Sequence, residues 1–152
     1  IGAEEDAQAL TVRLAELGAE ALSEAVTALA AGTAGRTPQD ARLQTYASML
    51  SKEMSPVDWT RSAHEIACQV RGLIPWPCAS TDIIGGEPMK LFSVRETGEK
   101  TAAEPGTITA AGKQGIDIAC GNGSVLRIVE LQAQGGKRMT AAAYLLGHPI
   151  QC

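Results

Sequence analysis

Side chains able to do chemistry are sparse in this sequence. The candidate general acids or bases are two histidines. His64 stands beside Glu65 in the opening turn of a helical pattern, where an exposed polar residue is ordinary, and His148 precedes Pro149. Neither has an aspartate or a nucleophile beside it, and no catalytic residue is assigned. Cys68, Cys78, Cys120 and Cys152 are scattered, with no Cys-x-x-Cys pair and no histidine at ligand spacing. Neither a zinc site nor a disulfide framework is expected from them, so no metal ligand is assigned. Cys68, taken to lie on the apolar face of a helix, and Cys120, taken to lie in a strand, read as small buried hydrophobes. Cysteine usage of this kind suits a reducing, cytoplasmic compartment. Gly121-Asn122-Gly123-Ser124 and Gly135-Gly136-Lys137-Arg138 both depart from Gly-x-x-x-x-Gly-Lys-Ser/Thr. Neither opens a helix straight after a strand, which excludes a phosphate-binding loop of that type.

Cations remain. Lys52, Arg71, Lys90, Lys113, Arg127, Lys137 and Arg138 are separated in sequence, but a small sheet domain would draw them together. Long basic side chains from several strands and loops can follow the phosphates of a nucleic acid without reading its bases. The competing reading is that each is an ordinary solvated charge. Lys137-Arg138 follow a Gly-Gly turn that should present two cations clear of neighbouring acids, whereas Lys52 adjoins Glu53. The net charge of −4 is unevenly spread: residues 1–60 hold four Lys/Arg against nine Asp/Glu, and residues 61–152 hold nine against eight. The second region is therefore neutral to slightly basic, which permits a local basic face. Aromatic residues make up 3% of the chain, and Phe92 is the only one expected among the strands. A base-stacking platform is therefore not expected, and RNA would be held through backbone charge and shape. Trp59 and Trp76, beside prolines at the two ends of a short helix, are expected to be largely buried.

The elements that must position these side chains follow from periodicity and turn chemistry. Leu10, Leu14, Leu17, Ala21, Ala25 and Leu29 recur at three- and four-residue steps, predicting helix over residues 4–31, with Gly18 expected to divide or break it. Acidic Glu4, Glu5 and Asp6 open that run, where the helix dipole favours negative charge. Residues 32–49 lose periodicity and gain turn formers. Ser62-Ala63-His64-Glu65 is a capping box, starting a helix with Ile66, Val70, Leu73 and Ile74 on one face that must stop by Pro75. Beyond it, strands are predicted at 81–84, 89–94, 106–110, 116–119 and 125–131. Asn122-Gly123 is a short-hairpin signal. A last helix, 140–146, is capped by Thr140 and stopped at Gly147. No apolar run reaches the ~20 residues of a membrane span, so a soluble protein is expected. At 152 residues the chain has room for one sizeable domain and an appendage. Ile1-Gly2-Ala3 reads as a start in mid-protein.

Ser51-Lys52-Glu53, Val57-Asp58-Trp59 and Arg71 ahead of Pro75-Trp76-Pro77 resemble the junction between the two domains of the methionyl-tRNA formyltransferase family. Gly112-Lys113-Gln114-Gly115-Ile116, Cys120-Gly121-Asn122-Gly123, and Leu131-Gln132 followed by Gly136-Lys137-Arg138-Met139 fall in the order of that family's C-terminal domain. The resemblance implies an α+β chain. Residues 1–33 would be the helical remnant of an N-terminal Rossmann-like catalytic domain, residues 34–59 a linker, and residues 60–152 an OB-like antiparallel β-barrel with flanking helices. It further implies that the full-length enzyme formylates initiator Met-tRNA with 10-formyltetrahydrofolate as donor. The family's catalytic Asn-x-His element has no counterpart here, so no catalytic or cofactor-binding residue is carried over and the chain alone is expected to be inactive. The candidate tRNA contacts are Lys52, Lys90, Lys113, Arg127, Lys137 and Arg138. The implied partners are the tRNA backbone and the protein's own catalytic domain, without a membrane, and the chain is expected to be a monomer. A related sugar-nucleotide formyltransferase shares the Asp-Trp and Pro-Trp-Pro region. The Gly-Lys-Arg-Met element favours the tRNA enzyme over it, and the acidic leading helices argue against a non-enzymatic binding barrel.

Overall fold

Alternating apolar and polar residues commit most of the segment from 79 to 140 to strands with one buried face. In the computed structural model, which describes residues 1–150, that segment forms an antiparallel sheet. Cys152 lies outside the described residues. The chain forms two compact units, Ile1–Met49 and Leu50–Cys152.

The first unit is dominated by α1 (Ala7–Ala30), capped by Asp6, whose carboxylate accepts from the amide of Ala9 at 2.8 Å. The expected division at Gly18 does not occur, and the helix runs through it unbroken. An interior glycine costs only about 1 kcal/mol against alanine, which the surrounding Ala, Leu and Glu outweigh. Ahead of the helix, Glu5 accepts from the Arg13 guanidinium at 2.8 and 2.9 Å and from the amide of Gly2. The bond from Arg13, then that from Gly2, holds its carboxyl down at about 2.

The second unit contains α2 (Ala63–Gly72), α3 (Ala141–Gly147) and the strands β1 (Ala79–Thr81), β2 (Met89–Lys100), β3 (Ile108–Gly112), β4 (Gly115–Ala119), β5 (Ser124–Ala133) and β6 (Met139–Thr140). The sheet order is β1-β2-β5-β4-β3, with β6 paired to β5. Ile66, Val70, Leu91, Ile116, Ile118, Leu126, Ile128 and Leu131 are fully buried between the sheet and the helices. The first expected strand, 81–84, is corrected. The chain leaves the sheet after Thr81 and turns through Gly85 and Gly86, both at positive φ, while Ile84 drops into the core. Strand β2 extends well beyond the expected 94, because its far end pairs with β5 as far as Lys100 and Ser124.

The capping box forms as expected: the Ser62 hydroxyl accepts from the amide of Glu65, and the Glu65 carboxylate accepts from the amide of Ser62 at 3.0 Å. Helix α2 ends at Gly72, before the prolines, and the bonds Ile74–Pro75 and Trp76–Pro77 are both cis. Two burial expectations fail here. Cys68 is exposed, because a residue two positions from Ile66 points to the opposite side of a helix. Trp76 is 51% exposed, whereas Trp59 is buried and donates its indole N–H to Thr81 Oγ1 at 3.2 Å.

The β4–β5 turn places Asn122 and Gly123 at positive φ, as a tight hairpin requires. Gly121, just before it, is held against the segment entering α2. A Cβ at this position would collide with the carbonyl oxygen of Thr60. Its amide donates to the carbonyls of Trp59 and Arg61. Ser124 Oγ accepts from the amide of Ala63 at 2.9 Å, so hairpin and helix start are joined twice. Among the described residues no helix is long and apolar enough to cross a membrane.

Candidate functional site

The cations singled out from sequence fall into distinct environments. Lys52 lies in a single 3-10 turn, Lys52–Met54, held against the sheet unit by local bonds. The Gln69 side chain donates to the carbonyls of Met54, at 2.8 Å, and Pro56, at 3.1 Å. The amide of Ser80 donates to Ser55 O, and the amide of Val57 to Ser80 O. Lys90 points outward from β2, between Ser80 of β1 and Gln132 of β5 in register. These two lysines share a cleft of about 450 Å³ with Trp76, Pro77, Pro88, Gln132 and Gly135. No acidic residue lines it. Glu53, the neighbour that made Lys52 ambiguous, is held below its ordinary range first by the Ser51 hydroxyl, with Lys52 a smaller influence.

Farther along the sheet two of the cations, Arg127 and Arg138, are neutralised. Arg127 makes a two-pronged ion pair with Asp117 on the facing strand β4, at 2.6 and 2.7 Å, and donates to Gln114 Oε1 at 2.6 Å. The Asp117 bond holds the guanidinium above its ordinary range. Arg138 was expected to stand clear of acids. It instead pairs with Glu130 and lies over the Phe92 ring at 4.7 Å. The reason is register: β6 folds back on β5, aligning Glu130 with Thr140 and bringing Arg138 alongside. Lys113, in the β3–β4 turn, and Lys137, in the β5–β6 turn, are exposed, and neither forms an ion pair among the described residues. Arg71 turns back along α2 to donate to Cys68 Sγ at 3.4 Å.

His64 does have a nucleophile near it, one helical turn on. Its Nε2 lies 3.7 Å from Cys68 Sγ and its Nδ1 lies 2.9 Å from Glu96 Oε1. The four-residue spacing that places them together on α2 was available in the sequence. All these groups are exposed, and the row ties α2 to β2 across the surface. His148 stacks on Tyr144 at 4.3 Å. Cys120 is buried and its thiol is pushed up to about 11 by that burial, in keeping with a packing role. No group of three or more His, Cys, Asp or Glu able to hold a metal occurs among the described residues.

What the site offers is therefore positive charge and one half-exposed indole, without an acid–base pair in a cleft. Residues 49–149 match the family profile described as "Formyl transferase, C-terminal domain". The chain is 46% identical over 151 residues to a methionyl-tRNA formyltransferase of Geobacter sulfurreducens, covering 99% of this chain and 46% of that protein. It is 44% identical over 146 residues to that of Xanthomonas campestris pv. campestris, covering 95% and 47%. The chain thus spans about half the length of the curated relatives it matches. Among solved structures, a variant of HypX from Aquifex aeolicus aligns with TM-score 0.68 at 20% identity, over 95% of this chain and 26% of that one. HypX in complex with tetrahydrofolic acid aligns with TM-score 0.61 at 20% identity, over 83% and 22%. At this identity the likeness is one of fold.

Proposed function

The chain belongs to the formyl transferase C-terminal domain family, and from that premise we propose that it is the tRNA-holding portion of a methionyl-tRNA formyltransferase. The complete enzyme formylates initiator Met-tRNA from 10-formyltetrahydrofolate in the cytoplasm, as a monomer. In this reading residues 1–33 are the closing helical part of the Rossmann-like catalytic domain, and residues 34–59 are the linker, whose last residues from Leu50 lie in the second compact unit. Residues 60–152 form the OB-type domain that grips the tRNA, a reading supported by the antiparallel sheet flanked by helices. The names of the relatives, at 42–46% identity over nearly the whole chain, support the tRNA substrate. The folate donor belongs to this reading through the formyl transferase family that the chain matches.

The single observation that carries the holding role is the acid-free cleft lined by Lys52 and Lys90. Of the six candidate residues, Lys52, Lys90, Lys113 and Lys137 have no acidic partner among the described residues and are assigned to phosphates. Arg127 and Arg138, paired with Asp117 and Glu130, are assigned mainly to holding the sheet. Phosphate contacts of this kind give affinity that falls steeply with salt. The test is a titration of the 152-residue chain with labelled initiator tRNA at low and moderate salt, alongside a formyl-transfer assay. Salt-weakened binding without transfer supports the reading. Binding that does not respond to salt, or transfer by this chain alone, overturns it.

A further inference from the structure

We propose that Trp76 is a stacking platform for an unpaired nucleobase, with Lys52 and Lys90 engaging the phosphates on either side. This rests on the reading of the partner as tRNA and adds the kind of RNA feature the cleft takes. The chain has two tryptophans; one is 8% exposed and hydrogen-bonded in the core, the other 51% exposed. An indole left half in water is an amphipathic surface with unused contact area. Trp76 has no hydrogen-bond partner among the described residues and lies in a cleft walled by Pro77 and Pro88, with the two lysines also lining it and no carboxylate. A cleft of about 450 Å³ is within the range that takes a small planar group.

A flat π-face bracketed by cations matches a nucleotide: the base stacks on the ring and the backbone meets the ammonium groups. A peptide strand would leave both lysines without partners unless it were acidic, and it would not need a planar face. Gln132 strengthens the match. It lines the same cleft, its amide nitrogen donates to Gly136 O at 2.8 Å, and its side-chain oxygen is an acceptor of the kind a base amino group requires. Stacking is tolerant of sequence, because every base has a π-face. RNA recognition by proteins commonly targets such splayed bases in loops and ends.

The experiment follows tryptophan fluorescence of the 152-residue chain with three probes: initiator tRNA, a single-stranded oligoribonucleotide, and a blunt RNA duplex of equal length. Quenching is expected with the tRNA and the single strand and not with the duplex. Trp76→Ala should abolish the quenching and weaken tRNA binding roughly 5- to 140-fold, the usual worth of one stacked base. It should leave the salt slope unchanged, since both lysines that meet the phosphates are still present. Trp76→Phe, which keeps a ring, should recover most of the affinity. If the wild type binds tRNA with the expected salt dependence while Trp76→Ala binds equally and no quenching occurs, the stacking inference fails and the tRNA reading stands. If no RNA binds at any salt, the tRNA reading fails and the inference falls with it.

Discussion

The amide of Gly121 donates to two carbonyl oxygens at once, that of Trp59 at 3.0 Å and that of Arg61 at 2.8 Å. This junction binds the β4–β5 hairpin to the segment that enters α2, and it requires the backbones to touch. Gly121→Ala drives a methyl group into Thr60 O, and the overpacking should cost about 3 kcal/mol. Gly112→Ala, at an exposed strand position with nothing within 4 Å, should stay within about 0.5 kcal/mol of wild type. Denaturant titrations of both variants measure the contrast.

The two tryptophans should separate sharply in the same assay. Trp59→Ala removes a buried ring and its hydrogen bond to Thr81, with an expected loss of about 3–5 kcal/mol. Trp76→Ala, at a half-exposed site, should lose no more than about 1 kcal/mol. Equal losses would show that Trp76 is part of the core after all.

Arg127 and Asp117 should behave as a structural pair. Their side chains are 23% and 8% exposed, so Arg127→Met strands a nearly buried carboxylate and should cost about 3 kcal/mol. Replacing both by Met and Leu should restore most of that loss. The double variant should retain the wild-type dependence of tRNA affinity on salt. A reduced slope would return Arg127 to the phosphate-binding set.

Glu65 sets an acid limit on α2. Its carboxyl falls from 4.5 to about 2, first through the Ser62 hydroxyl, then the Ser62 amide, then Arg61. A folded pKa below the unfolded one stabilises above about pH 4.5, and that contribution drains away as pH falls from 4.5 towards 2. Wild type should therefore exceed Glu65→Gln in stability at neutral pH, and the two should converge near pH 2. Glu5 titrates over the same window but is common to both proteins and cancels in the difference. A gap that stays constant with pH would contradict the assignment.

Signals acting over a few residues were legible in the sequence: the capping box at Ser62 and Glu65, the hairpin at Asn122-Gly123 and the cap at Thr140 each formed where local chemistry requires them. Cys68 was legible too and was misplaced, since its offset from Ile66 already put it on the wet side of α2. The fate of the cations was not legible, because it depends on register. Asp117 meets Arg127 only when β4 and β5 pair as they do, and Glu130 reaches Arg138 only because β6 returns along β5. Trp76 fell beyond local reading for a similar reason. Whether a ring beside prolines is covered depends on what the sheet places next to it, and here it borders an open cleft.

The most direct measurement of the holding role is the slope of log affinity for initiator tRNA against log salt, for wild type and for Lys52→Ala/Lys90→Ala. Both lysines line the acid-free cleft and lie outside the core, so the double variant should fold normally. The slope should become shallower by roughly 2, close to one unit for each phosphate left without its lysine, with affinity falling for tRNA of any sequence. An unchanged slope in a folded double variant would contradict the account and remove the cleft from the tRNA interface.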